Sequence, residues 1–183
     1  CEGEPELSGE AGVTQLLTSY CQEQNWPWMR QQVHPGRDNL LVKVPLAASS
    51  GLQSVILWEA HQDTVGVGGM TIDPFAGEAR EGRIWGRGAC DVKGGLAAML
   101  SAATRLSQNS AAGDVQLLLA FSVNEECGFT GATALGKLWN SHVAMEELGL
   151  CSGPLPLEKV RALKPSEAIV AERALPMPTP WKS

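Results

Sequence analysis

Three short blocks in this chain hold residue types that do metal chemistry. They are His61-Gln62-Asp63-Thr64, Trp85-Gly86-Arg87-Gly88-Ala89-Cys90-Asp91-Val92-Lys93-Gly94-Gly95 and Asn124-Glu125-Glu126-Cys127-Gly128. His61 follows an apolar run that reads as a buried strand, so it stands at a strand's C-terminal end, where open α/β sheets bind ligands. Asp63 is two residues on and points to the same side in extended backbone. A metal-bound imidazole needs a partner for its other nitrogen, and a carboxylate is a common one. Taken alone, the pair is a weak signal and reads better as a surface histidine and a turn-forming aspartate.

Asp91 lies in a glycine-framed turn. Gly86 and Gly88 allow tight backbone before it, and Gly94-Gly95 open a helix after it. Two readings stay open at this point: a helix cap, which aspartate favours, or a carboxylate held rigidly enough to bridge two ions. The spacing fits neither G-x-G-x-x-G nor G-x-x-x-x-G-K-[ST], which sets a phosphate loop aside. Glu125 and Glu126 end the strongest apolar strand of the chain. Adjacent carboxylates there repel unless a cation compensates, although an isolated Glu-Glu pair also reads as a solvated acidic loop. One histidine with several carboxylates suits Zn²⁺, with Mn²⁺ or Co²⁺ as substitutes.

These residues need a scaffold that brings strand ends to one edge. Residues 11–25 predict an amphipathic helix, with Val13, Leu16, Leu17, Tyr20 and Cys21 at three- and four-residue spacing. Strands are predicted at 39–44, 54–60, 116–123 and 168–171, a short hairpin arm at 77–85, and helices at 94–106 and 131–139. Residues 149–164, with Pro154 and Pro156, predict a connection holding a short helix. Alternating strands and helices predict an α/β fold: a mixed, mostly parallel sheet with helices on both faces. From Pro176 there are three prolines in five residues, which excludes a central strand and predicts an irregular tail over 173–183.

Composition narrows the function classes. The 183 residues fit one domain, 44% hydrophobic content supplies a sizeable core, and 19% charged residues argues against disorder. A net charge of −6 without a basic stripe argues against nucleic acid as a partner. No apolar run reaches the roughly 20 residues that span a bilayer, so no membrane partner is expected. Five scattered cysteines without a CxxC pair, and an acidic start unlike a signal peptide, predict reduced thiols and a cytoplasmic protein.

Together, the three blocks in this order resemble the di-zinc aminoacylase and carboxypeptidase family, which includes acetylornithine deacetylase, succinyl-diaminopimelate desuccinylase and glutamate carboxypeptidase. The resemblance runs from about Ser8 to Glu172 and implies a partial zinc-exopeptidase-like catalytic domain over 1–172. It implies that His61 binds one zinc, Asp91 bridges two, Glu126 binds the second and Glu172 completes the first. Glu125 would be the general base and Asp63 would orient His61. A cis peptide is implied at Asp91-Val92. The implied reaction is hydrolysis of an amide bond in an N-acyl amino acid or small peptide. The two zinc ions would activate a water, and Glu125 would carry its proton to the leaving amine.

The chain also departs from that pattern. Family members carry an inserted dimerisation domain and a later histidine for the second zinc, and neither matches this sequence. His34 and His142 do not fit the motif of that histidine. Arg173-Ala174 stands where the family has Pro-Thr. These departures predict a truncated or frame-shifted reading with a tail foreign to the family. The competing expectations are a metal-binding fragment without turnover and a scaffold module that uses the α/β surface.

Overall fold

The computed structural model describes residues 9–47, 54–109 and 114–172. Helix α1 (Ala11–Glu23) buries Thr14, Leu17, Thr18 and Cys21, the spacing of one helical face. It is left through Asn25 in the left-handed region, φ 55°, a conformation asparagine tolerates better than most residues. Strand β1 (Trp28–His34) turns through Pro35-Gly36 into β2 (Arg37–Val44), with His34 paired to Arg37 across the hairpin. Strand β3 (Ser54–His61) is followed by the small hairpin β4 (Glu78–Arg80) and β5 (Arg83–Trp85). An irregular turn over Ala89–Lys93 leads into α2 (Gly94–Ser107) and then β6 (Val115–Ser122). Helix α3 (Thr130–Leu138), the two-residue β7 (Cys151–Ser152), α4 (Leu157–Ala162) and β8 (Glu167–Val170) complete the described chain.

Six strands form one sheet in the order β7-β1-β2-β6-β3-β8, and β4-β5 stand apart. The sheet is mixed, as expected, but it is not mostly parallel: two of its five strand pairings are parallel and three are antiparallel. Parallel pairing is confined to β6-β3-β8, and the β7-β1-β2-β6 half is antiparallel. The antiparallel half arises from β1, a strand that sequence periodicity does not reveal. Arg30, Gln31 and Gln32 break its apolar alternation, yet Gln31 is fully buried. Its amide donates to the carbonyls of Ala134 and Leu148, which makes the burial affordable.

Alternate residues of the central strands feed opposite layers. Leu40, Val42 and Val44 of β2, with Leu117, Leu119 and Phe121 of β6, pack against Leu17 and Cys21 of α1 and Leu96 and Ala103 of α2. Leu41 and Ala120 face the other way, onto Leu135 and Leu138 of α3 and Val160 of α4. Helices therefore cover both faces, and the near-continuous apolar runs of β2 and β6 follow from burial on both sides. Helices α1 and α2 are also joined by Tyr20 Oη and Thr104 Oγ1, 2.6 Å apart.

The expected strands and helices are present with ends shifted by one or two residues. The expected tail over 173–183 lies outside the described residues. Among the described residues no helix is long and apolar enough to cross a membrane. Cys21, Cys90 and Cys151 are free thiols, whereas Cys127 is disulfide-bonded, so the expectation of reduced thiols holds for the first three only.

Gly131, at the start of α3, sits so close to β6 that a Cβ there would lie 2.2 Å from the Val123 carbonyl oxygen and 2.7 Å from Asn39 Oδ1. Backbone and a buried side chain cannot both yield. Gly131→Ala is expected to destabilise the fold by about 1–3 kcal/mol, read as a lower urea midpoint with unchanged slope. An unchanged midpoint would contradict this packing.

Candidate metal centre

The parallel strands end together. His61 of β3 pairs with Ser122 of β6, and the Ala171 N–H after β8 donates to the Glu59 carbonyl at 2.8 Å. The loops leaving β3 and β6 and the segment leaving β8 therefore start from one sheet edge, the edge where α/β sheets place ligands. His61, Asp91 and Glu126 converge there: one donor atom from each lies within 4.8 Å of the others. His61 Nε2 is 3.2 Å from Asp91 Oδ1 and 3.9 Å from Glu125 Oε2. Donors around a tetrahedral ion with bonds of about 2.0 Å stand roughly 3.3 Å apart, so one imidazole nitrogen and carboxylate oxygens at these separations fit a zinc-type ion. A pocket of about 390 Å³ opens beside them, lined by Val65, Arg87, Cys90, Asp91, Glu125, Glu126 and Glu172. Glu172 thus shares the pocket but is not one of the three convergent donors.

Asp63 lies beneath this group. One of its carboxylate oxygens accepts the Glu125 N–H and the other accepts the Glu126 N–H, each at 3.0 Å. His61 Nδ1 faces the same residue, 3.1 Å from the Asp63 carbonyl oxygen and 3.5 Å from Oδ1. Nδ1 is thereby held as the hydrogen-bonding side of the ring, which leaves Nε2 turned to Asp91. The Asp91-Val92 peptide is cis. The turn around it is tightly packed: a Cβ on Gly88, at φ +78°, would lie 2.8 Å from Thr64 Cγ2.

A further polar layer was not legible in the three blocks. Gln62 is buried; it accepts from Thr14 Oγ1 at 2.7 Å and donates to the carbonyls of Asp38 and Phe121. Lys93 Nζ donates to the Gln62 carbonyl at 3.0 Å, joining the first block to the second. Glu10, 3% exposed, accepts from Arg37 Nε at 2.7 Å and from the Asn124 N–H at 3.0 Å. That places the start of α1 against the loop carrying Glu125 and Glu126. A glutamate before a helix and an arginine after a hairpin turn carry no periodic signal, so no sequence pattern links them. His34 is occupied elsewhere, 2.9 Å from Thr130 Oγ1, and His142 is exposed.

The site's electrostatics follow from this arrangement. Burial works against a charged His61, yet the hydrogen bond and charge of Asp63, with the charge of Glu125, lift its pKa to about 9. Burial alone would raise Asp63; hydrogen bonds from His61 and from the Glu125 and Glu126 amides outweigh it and hold the carboxyl below its usual value. Glu125 is pushed up, first by burial and then by Glu172, Glu126 and Asp63, against the pull of His61. Burial lowers Lys93.

In the absence of a bound cation, His61 is an imidazolium at neutral pH. Its folded pKa lies above the unfolded value of about 6.5. Its stabilising contribution is therefore complete below about pH 6.5 and is lost as pH rises through about 9. An NMR titration of the metal-stripped chain is expected to place His61 near 9, and Asp63→Asn is expected to bring it down. A His61 titration near 6.5 in the unaltered chain would refute this coupling.

The profile of Peptidase family M20/M25/M40 matches residues 57–171. Curated relatives include the succinyl-diaminopimelate desuccinylase of Parvibaculum lavamentivorans, 40% identical over 62 residues, covering 32% of this chain and 16% of that protein. The corresponding protein of Gluconacetobacter diazotrophicus is 43% identical over 68 residues, covering 35% and 18%. The chain therefore spans less than a fifth of either relative. Among solved structures, an M20 family metallo-carboxypeptidase from Sulfolobus solfataricus superposes with a TM-score of 0.64 at 18% identity, covering 87% of this chain and 31% of that one. With the six-stranded sheet and the His61–Asp91–Glu126 group inside or beside the matched span, the chain belongs to Peptidase family M20/M25/M40, a family of metal-dependent hydrolases.

Proposed function

We propose that this chain supplies the metal-binding part of a hydrolase that cleaves the amide bond of an N-acyl amino acid or small peptide. The convergence of His61, Asp91 and Glu126 within 4.8 Å, with Glu125 at 3.9 Å from His61 Nε2, is the observation that carries this reading. His61 and Glu126 would each hold one of two zinc ions, Asp91 would bridge them, and Glu172 would complete the first ion's set from the pocket wall. When bound, such ions supply Lewis-acid polarisation of a carbonyl and acidify water. Cobalt or manganese would serve the same donors.

Glu125 has the attributes of the general base. It lines the pocket, it is held by its backbone N–H on Asp63, and its proton affinity is raised by burial and neighbouring carboxylates. A carboxylate with raised affinity takes a proton from water and returns it to the departing amine more readily than an ordinary one. Asp63 would not touch substrate. It would orient His61 and fix the Glu125–Glu126 backbone.

A second reading is a metal-binding fragment without turnover. One observation favours it: among the described residues the convergent donors number three, enough for one ion. Metal analysis with an acyl-amino-acid hydrolysis assay separates the two. Two zinc ions per chain, with turnover reduced at least ~100-fold by Glu125→Ala at unchanged metal content, is the result expected of the hydrolase. One ion without turnover would select the fragment. A folded chain with no metal would overturn the ligand assignment. Asp91→Ala is expected to remove more metal than Asp63→Ala, and equal losses would contradict a bridging position for Asp91.

A further inference from the structure

Four consecutive backbone amides lead into the acidic loop, and each donates to a side-chain oxygen at 3.0 Å. Glu125 and Glu126 donate to Asp63, and Asn124 donates to Glu10. The first of the four, Val123, donates to Oδ1 of Asn39. Asn39 lies on β2, is fully buried and belongs to none of the three sequence blocks. Its side chain also reaches the far end of the loop, where Nδ2 donates to the Gly131 carbonyl at 2.9 Å. The Gly131 N–H in turn donates to the Val123 carbonyl at 3.1 Å. One amide group therefore closes the two ends of the segment that carries Glu125 and Glu126.

This clasp is itself braced. Asn39 stands opposite Gln31 across the β1–β2 pairing, and its Nδ2 also donates to Gln31 Oε1 at 3.1 Å. Gln31 is fully buried as well, and its Nε2 donates to the carbonyls of Ala134 and Leu148. An amide side chain has two N–H donors, so both residues use all of theirs. Two amides inside an apolar layer gain little stability over well-packed aliphatic side chains, because their bonds only replace bonds to water. What a fully satisfied buried network supplies is a single rigid arrangement. Here that arrangement is the spacing of the loop ends. Packing enforces it, since a Cβ on Gly131 would lie 2.7 Å from Asn39 Oδ1.

We propose that Asn39 is a positioning residue of the metal centre. It clamps both ends of the 123–131 loop and so sets where Glu125 and Glu126 stand relative to His61 and Asp91. It touches neither ion nor substrate. The proposal rests on the ligand reading given above for Glu126, and its test separates the two.

The test reads zinc affinity by calorimetry and amide hydrogen exchange by NMR. In the unaltered, metal-stripped chain the amides of Val123, Asn124, Glu125 and Glu126 are expected to exchange slowly, and zinc is expected to change them little. Asn39→Ala is expected to speed their exchange at least ~10-fold while the Leu117, Leu118 and Leu119 amides of β6 keep their protection. It is expected to weaken zinc binding about 10-fold, the lower end for residues that orient metal ligands from behind. Val160→Ala empties part of the same apolar layer away from the loop and is the control for lost stability. Its urea midpoint is expected to fall with zinc affinity unchanged. Unchanged zinc affinity in Asn39→Ala, an equal loss of affinity in Val160→Ala, or loop amides protected only after zinc is added would each overturn the proposal. The last outcome is read on the unaltered chain, so it decides the matter even if the alanine variant does not fold. An unaltered chain that binds no zinc would refute the ligand reading instead. The exchange of the loop amides then decides whether Asn39 holds the loop: faster exchange in Asn39→Ala supports the clasp, and unchanged exchange overturns it.

Discussion

Five carboxylates, Asp63, Asp91, Glu125, Glu126 and Glu172, stand at one end of this sheet around a single buried imidazole. Like charges gathered in a partly dry site repel strongly. Asp63 is the residue through which the arrangement holds. Its two oxygens take the Glu125 and Glu126 amides, and its charge sustains the imidazolium of His61 when no ion is bound. Without that bracket the Glu125 and Glu126 amides would lose their hydrogen bonds to the segment leaving β3. The depressed proton affinity of Asp63 and the raised affinity of Glu125 are two sides of one geometry: the first is hydrogen-bonded in its charged form, and the second is left with burial and repulsion.

The sheet makes the bracket reachable. Parallel pairing of β3 with β6 and β8 brings three C-terminal ends to one edge. The antiparallel half contributes in another way. Its hairpin turn delivers Arg37 to Glu10, and Glu10 accepts the Asn124 N–H, so the start of α1 buttresses the same loop from behind. A helix far from the site in sequence is thereby part of its support.

Much of this was legible in the sequence, for identifiable reasons. The apolar centres of β3 and β6 and the three-four spacing in α2 are strong periodic signals, and both appear where expected. His61, Asp91 and Glu126 could be singled out because each ends an element beside a turn. Strand β1 was not legible, because Gln31 is buried through side-chain hydrogen bonds rather than by being apolar. Asp63's hold on the Glu125 and Glu126 amides was invisible for a related cause. A side chain that bonds a distant backbone leaves no trace in residue type or period. Orienting His61 was a foreseeable task for Asp63, whereas latching the opposite loop was not.

That latch has a consequence for how an ion would be captured. Asn124 sits at φ 59°, and the backbone that follows is tied to Asp63 and Glu10 through three amides. The conformational entropy of this loop is therefore spent when the chain folds, not when a ligand arrives. Capture would then require that His61 lose its proton and that water be shed from the donors. A preorganised site of this kind gives up little affinity to loop ordering. Its selectivity among divalent ions would rest on donor chemistry and spacing, not on the ability of the loop to remodel around each one.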